Sequence, residues 1–456
     1  MTTHAISLDR DRPYGLYAIC FGFFLVLFDT TALNVAVPSM HREFGGPMSG
    51  LQWIVNAYTI VFASFVLTCG ALGDRYGAKR LYQLGLGLFT AMSLGCALAP
   101  SVGALIALRM LQGLGAAAML PASLALLRHA FRDPLERARA ISFWASIVSL
   151  GFAAGPALGG VFTSAFGWRS IFLLNVPTGI AALLMVRAHI EETDTSAARS
   201  VDWMGQLSVS LSLWALSYAL IEAGNSGWSS SRVLVAFATT VVFALVVAVT
   251  EKGSESRVFP PALFSRAAFV ACLAAGIVLN VGAYGILFVE SIYLQNVRHL
   301  SALATGAMIV PMTLAPTVTT RLIDRYAADM HFKPRLVAGQ VIGLVGAGVL
   351  VVSVLVPATI IVLLGLLLIG VALGYVTPAM TTGVLAASPA SISGLASGIL
   401  NAGRQVGGAV GVALMGTLVQ MHAERGMVVA FTIALALFAV VGVGAQRAIP
   451  GPGREA

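Results

Sequence analysis

Along most of its length the chain is a succession of apolar runs of about spanning length, separated by short polar connections. A run of roughly 20 apolar residues crosses the hydrocarbon core of a bilayer as a helix, and in lipid every backbone polar group must be satisfied within the segment. Fourteen such runs can be marked. They start near Tyr14, Leu51, Leu81, Val102, Ile141, Ile171, Met204, Arg232, Ala267, Ala302, Leu336, Ala358, Ile392 and Met427. The expected fold class is therefore an all-α polytopic membrane protein. Composition agrees: 58% of residues are hydrophobic and 10% charged, so lipid must solvate much of the surface. The four cysteines fall in apolar stretches and read as small core residues, not a disulfide framework. The first run lacks a small-residue cleavage pattern, so no cleavable signal peptide is expected.

The formal charge of +8 could suggest nucleic acid, but its distribution points to topology. With a cytoplasmic N-terminus, twenty Lys and Arg residues fall in inside segments and five, Arg42, Arg169, Arg232, Arg298 and Arg425, in outside loops. That bias follows the positive-inside rule and places both termini in the cytoplasm. The map divides the chain into an N-terminal segment (1–13), six helices (14–187), a polar linker (188–202), a helix pair (203–250), a second linker (251–266), six helices (267–447) and a tail (448–456).

The two sets of six are related. "GFAAGPALGG" in the fifth run places Gly151, Gly155 and Gly159 at helical spacing, and an offset of 252 leads to Gly403, Gly407 and Gly411 in "GRQVGGAVG". "GALGDRYGAKR" after the second run has a counterpart in "TRLIDRYAADMHFKPR", with Asp74 matching Asp324. The copy is incomplete: Thr320 stands where Gly70 would repeat and Ala327 where Gly77 would, so the second loop is expected to grip its partner helix less closely. Parallel six-helix repeats with a site between them near the midplane are a transporter architecture.

Four motifs, "LFDTTALNVAVP", "GALGDRYGAKR", "ALRMLQGLGAAAMLP" and "GFAAGPALGG", occur in this order, with weaker matches at "DWMG", "YLQ" and "NAGRQVGGAVG". In these the chain resembles the major facilitator superfamily, specifically its fourteen-helix drug:proton antiporter family. The resemblance implies a multidrug efflux transporter of the bacterial inner membrane. It would be driven by the proton gradient without a cofactor and act as a monomer on small, amphipathic substrates.

The residues carry their own physical readings. Asp29 places a carboxylate in the first span, and Arg109 a guanidinium in the fourth at similar depth. Charges inside spans are functional by default, although a structural ion pair is the alternative. By resemblance, Arg109 would relay between proton and substrate. Thr30, Thr31, Asn34, Gln112 and Arg404 are the candidate lining of a substrate cavity, Arg404 either complementing an anionic group or satisfying carbonyls. Glu290, about a turn inside the outer end of the ninth span, is a second candidate proton or cation site, or a carboxylate that snorkels to water. At the cytoplasmic mouth, Gly70, Asp74, Arg75, Gly77 and Arg80, with Asp324 and Arg325, form a candidate gating loop. Asp74 there could cap a helix and pair with the opposite half, or the loop could be a plain tight turn. Gly151, Gly155, Pro156, Gly159 and Gly160 give a bent, smooth helix face, suited to rocking or simply to close packing.

Other function classes find little support. None of the three lysines, Lys79, Lys252 and Lys333, can complete a phosphate-binding G-x-x-x-x-G-K. The seven histidines fall in loops or tails without a metal-type pair, so an enzyme is not expected. A proton crossing about 150 mV gains roughly 3.5 kcal/mol, enough for a gradient of a few hundredfold. A proton-coupled exporter or symporter of one metabolite on the same fold is the closest rival. At the 252 offset Asp29 and Arg109 fall on Val281 and Ile361, so the charged pair is expected to belong to one half alone.

Overall fold

A computed structural model of the chain describes residues 12–131, 133–193, 203–253, 260–327, 329–356, 358–389, 392–421 and 423–449. Most of the expected N-terminal segment, residues 194–202 of the first linker with Asp202 of "DWMG", residues 254–259 of the second, and the tail from 450 lie outside the described residues.

The described secondary structure is helical throughout: α1 (Arg12–Phe44), α2 (Met48–Tyr76), α3 (Ala78–Ala97), α4 (Val102–Ala130), α5 (Pro134–Phe166), α6 (Arg169–His189), α7 (Trp203–Ser226) and α8 (Ser231–Gly253). The single turn α9 (Pro261–Phe264) precedes α10 (Ala267–Ile292), which runs into a π-turn over Tyr293–Val297. The rest are α11 (Ala302–Tyr326), α12 (Phe332–Leu355), α13 (Thr359–Ala386), α14 (Ser393–Met421) and α15 (Ala423–Ala448), so α10 to α15 cover the ninth to fourteenth runs. Among the described residues, twelve helices are long and apolar enough to cross a membrane. The two long helices outside that set carry polar residues: α3 opens on Lys79 and Arg80, and α14 carries Asn401, Arg404, Gln405 and Gln420 among seven glycines.

Local chemistry sets the helix ends. Ser101 and Ser301 accept the N–H groups of Ala104 and Ala304 at 3.2 and 3.1 Å, starting α4 and α11 at the apolar edge. The fifth run was expected from Ile141, but α5 begins at Pro134. Asp133 caps it by accepting from Leu135 and Glu136, both at 2.9 Å, and Pro134 sits at the first turn. The polar stretch "PLERARA" therefore prolongs the helix beyond its apolar part.

Packing repeats along the chain. α1 lies against α5 and α6 and α2 against α4, as α10 lies against α14 and α11 against α13. The two sets meet along α5 with α11 and α2 with α14. α7 bridges the second seam: Gln206 donates to the Ser64 carbonyl on α2, while on α14 Thr417 donates to the Leu220 carbonyl at 2.8 Å and Gln420 to Asn225 at 2.8 Å. Outward-facing leucines and valines, such as Leu84, Leu234, Val241 and Val440, give the bundle its apolar exterior.

Candidate functional site

The glycine ladders explain how helices of this chain come close enough to enclose polar groups. On α5, a Cβ at Gly151 would stand 2.6 Å from the Phe24 carbonyl oxygen and one at Gly159 2.9 Å from Ala32 Cα; at Gly155 it would overlap Thr31 Oγ1. Only glycine allows α1 this near. On α14, Gly403 meets Leu273, and Gly407 and Gly411 meet the carbonyls of Ile277 and Val281 on α10. Gly160 and Pro156 face the other way: a Cβ on Gly160 would lie 2.6 Å from the Ala302 oxygen, and the Pro156 carbonyl abuts Gly306, both on α11. One helix thus packs α1 on one face and the opposite bundle on the other.

These contacts revise the repeat register. Gly151 packs on Phe24 and Gly403 on Leu273, and Gly159 packs on Ala32 and Gly411 on Val281, each an offset of 249 between α1 and α10. By these contacts the counterpart of Asp29 is Val278, where a single offset of 252 gave Val281. Val278, Val281 and Ile361 are all aliphatic, so the charged pair remains unmatched in the second half.

Asp29 and Arg109 meet inside the first bundle as a fully buried ion pair. Asp29 Oδ1 also accepts from Asn175 Nδ2 on α6 at 3.0 Å and Gln112 Nε2 on α4 at 3.2 Å. Gln112 in turn donates to Ser93 Oγ on α3 at 2.8 Å and accepts from Arg109 at 2.6 Å. Arg109 Nε donates to the Ile54 carbonyl on α2 at 3.3 Å, and the guanidinium lies 4.2 Å from the centre of the Tyr58 ring and 5.8 Å from that of Phe172. Five helices converge on one carboxylate and one guanidinium, and their charges are neutralised by ion pairing and directed donors, as buried charges require. Ser93 and Asn175 were not anticipated; polar residues in mid-span of α3 and α6 were the available signal.

The decisive likeness is a family model described as Major Facilitator Superfamily, which matches residues 19–412. The chain belongs to that superfamily. It is 34% identical to a "Multidrug resistance protein Stp" of Mycobacterium tuberculosis over 98% of this chain and 80% of the relative. It is 33% identical to a "Methylenomycin A resistance protein" of Streptomyces coelicolor, over 98% of this chain and 94% of that one. A "Tetracenomycin C resistance and export protein" of Streptomyces glaucescens is 31% identical over 90% of this chain and 76% of its own length. Among solved structures, a peptide transporter POT in complex with sulfate shares the fold with a TM-score of 0.72, at 15% identity and 96% coverage of each chain. Membership makes the chain a multi-pass membrane transporter whose relatives are named for drug and antibiotic resistance.

Within this superfamily member the other candidate residues are spread over three regions. Gln112 belongs to the Asp29 cluster and is fully buried there. Thr31 is also buried, donating to the Leu27 carbonyl at 2.9 Å and wedged against Gly155, so it packs α1 on α5. Thr30, Asn34 and Arg404 lie nearer the seam. Thr30 is partly exposed, Asn34 Oδ1 and Arg404 Nε are buried without a hydrogen-bond partner, and Phe152 and Tyr284 make an edge contact of 6.3 Å across the bundles. Glu290 does not snorkel: it is fully buried on α10, and neither carboxyl oxygen has a hydrogen-bond partner among the described residues.

The "GDRYGAKR" loop departs from the expected latch. Asp74 is exposed and makes no hydrogen bond or ion pair among the described residues. The cap on α3 is instead Glu192, from the chain just after α6, whose oxygens accept from Lys79 N at 2.9 Å and Arg80 N at 3.1 Å, with the Arg80 side chain at 3.6 Å. Gly77, at φ +97°, lets that carboxylate approach: a Cβ there would stand 2.5 Å from it. Gly70 has no such duty, since its Cβ would meet only Pro121 at 3.6 Å. In the second loop Ala327 keeps φ at −141°, and Asp324 is exposed. What the two loops share is Arg75 over Tyr76 at 5.3 Å and Arg325 over Tyr326 at 5.4 Å.

Proposed function

We propose that the chain is a proton-coupled antiporter that exports small amphipathic molecules, drugs or antibiotics among them, by alternating access. It has fourteen membrane helices, two bundles of six (14–187 and 267–447) and an inserted pair (203–250), with both termini in the cytoplasm and the bacterial inner membrane as its site. The 20 residues of α3 give about 30 Å, enough to span. The names of the relatives support export, and the lack of a nucleotide-binding signature supports the proton gradient, without a cofactor, as the drive. The transporter works as a monomer.

The observation that carries this reading is the Asp29–Arg109 pair, an expensive device buried in one bundle and absent from its repeat. Asp29 takes a proton when the bundle opens outward, letting Arg109 turn from it; the return of Arg109 inward expels the proton and couples it to substrate binding among Thr30, Asn34 and Arg404. Glu290 is the second protonation site. Polar contacts between the two six-helix sets support a state closed at the outer face. Gln52 donates to the Ala413 carbonyl at 3.0 Å, Gln295 to that of Val35 at 2.8 Å and Leu303 N to Ser164 at 3.0 Å. Asp74 and Asp324 would engage the opposite half in the other state. The test is an inside-out vesicle assay with a pH-sensitive dye and a substrate panel beginning with methylenomycin A and tetracenomycin C. Several substrates should dissipate the gradient with wild type and none with inserted Asp29→Asn. A response to one metabolite alone, or an unaltered variant, would refute the reading.

A further inference from the structure

A groove of about 780 Å³ opens between α2, α4, α7 and α8, away from the Asp29 cluster. Its floor is the stacked pair Trp53 and Trp214, with ring centroids 5.4 Å apart, and its walls include Ile106 and Val235. The outer wall is α8, the least enclosed of the candidate spans, which turns Leu234 and Val235 outward. The groove therefore opens sideways, towards lipid. Water would find few hydrogen-bond partners there, so the space must be filled by hydrocarbon.

One end of the groove is charged. Arg232, in the first turn of α8, lines it with a side chain 74% exposed. Trp228, four residues earlier in the α7–α8 turn, is also exposed, and an indole at a helix end marks the level of the headgroups. The ion partner of Arg232 is Glu222 at 3.9 Å, a long contact, and that carboxylate already accepts from Ser226 and from Asn225 at 3.2 Å. Arg232 thus keeps donors for a further anion, and a guanidinium grips a phosphate in bidentate fashion.

We infer that this groove binds one anionic phospholipid, its acyl chains on Trp53 and Trp214 and its phosphate at Arg232. The site is independent of the transport reading. To test it, the full-length protein in phosphatidylcholine vesicles is titrated with phosphatidylglycerol brominated on its acyl chains, and tryptophan fluorescence is followed. Wild type should show a saturable quenching component that favours brominated phosphatidylglycerol over brominated phosphatidylcholine about five-fold. Arg232→Gln should bring that preference to about one. Ala215→Phe, which fills the groove and leaves Arg232 in place, should remove the saturable component, as should Trp53→Phe combined with Trp214→Phe. Linear quenching by both lipids in wild type, or a preference that survives Arg232→Gln, would overturn the assignment.

Discussion

Helices α1–α6 and α10–α15 share a packing plan and differ in how they hold charge. In both, a glycine ladder draws one helix onto another, α5 onto α1 and α14 onto α10. In the first, the space so formed holds Asp29 and Arg109 with Gln112, Asn175 and Ser93 in a hydrogen-bonded cluster. In the second, Val278 replaces Asp29, and the charged residues Glu290 and Arg404 have no ion pair among the described residues; buried polar atoms without hydrogen-bond partners there occur in both sets, at Asn34, Asn56 and Asn175 Oδ1 as at Glu290, Gln340 and Arg404 Nε. The contrast separates scaffold from chemistry. Duplicated packing makes the fold; unduplicated charge makes the two halves unequal, and unpaired polar atoms mark where a proton, water or substrate has work to do.

Breaking the buried ion pair should cost most. Arg109→Ala leaves a buried carboxylate without its cation and should lower stability in detergent by about 3–5 kcal/mol, read as a fall in melting temperature. Adding Asp29→Asn to the same chain should recover part of that loss, since the charge then goes too. Next come the ladders. Gly159→Val and Gly411→Val each force a side chain into a neighbouring backbone and should cost about 1–3 kcal/mol. Similar losses would support equal scaffolds; a tolerated Gly411→Val would show that the second half is looser. Glu192→Ala removes the cap on α3 and should cost about 1 kcal/mol, with faster proteolysis of the segment after α6. The smallest effect belongs to Glu290→Gln, which keeps shape and breaks no hydrogen bond. Its melting temperature should match wild type, while the pH dependence of transport should change. A large destabilisation would reveal a partner for Glu290 and narrow the contrast between the halves.

Much of this was legible in the chain itself. The apolar runs located the helices to within a few residues, except at α5, where a cap and proline carried the helix past the apolar edge. The glycine spacing announced the repeat, and the isolated Asp29 and Arg109 announced each other, because a charge in lipid must find a partner. Reading fell short where loops of unequal length intervene: a fixed offset named Val281 opposite Asp29, and packing replaced it with Val278. It also grouped Gln112 and Thr31 with Thr30, Asn34 and Arg404 as polar lining, and packing sets Gln112 against Asp29 and Thr31 against Gly155.

By itself, then, the sequence determined that this protein is a multi-pass bundle of apolar helices with internal repeats and with an oppositely charged pair, Asp29 and Arg109, in its first part. Hydrophobic period, glycine spacing and isolated charges are properties of the chain, and lipid leaves them few alternatives. Only the tertiary structure decided which donors surround Asp29, that Glu290 has none, and that Glu192 rather than Asp74 holds the start of α3. Hydrogen bonds reach only about 3 Å, so their partners depend on how helices far apart in sequence rotate and slide against one another.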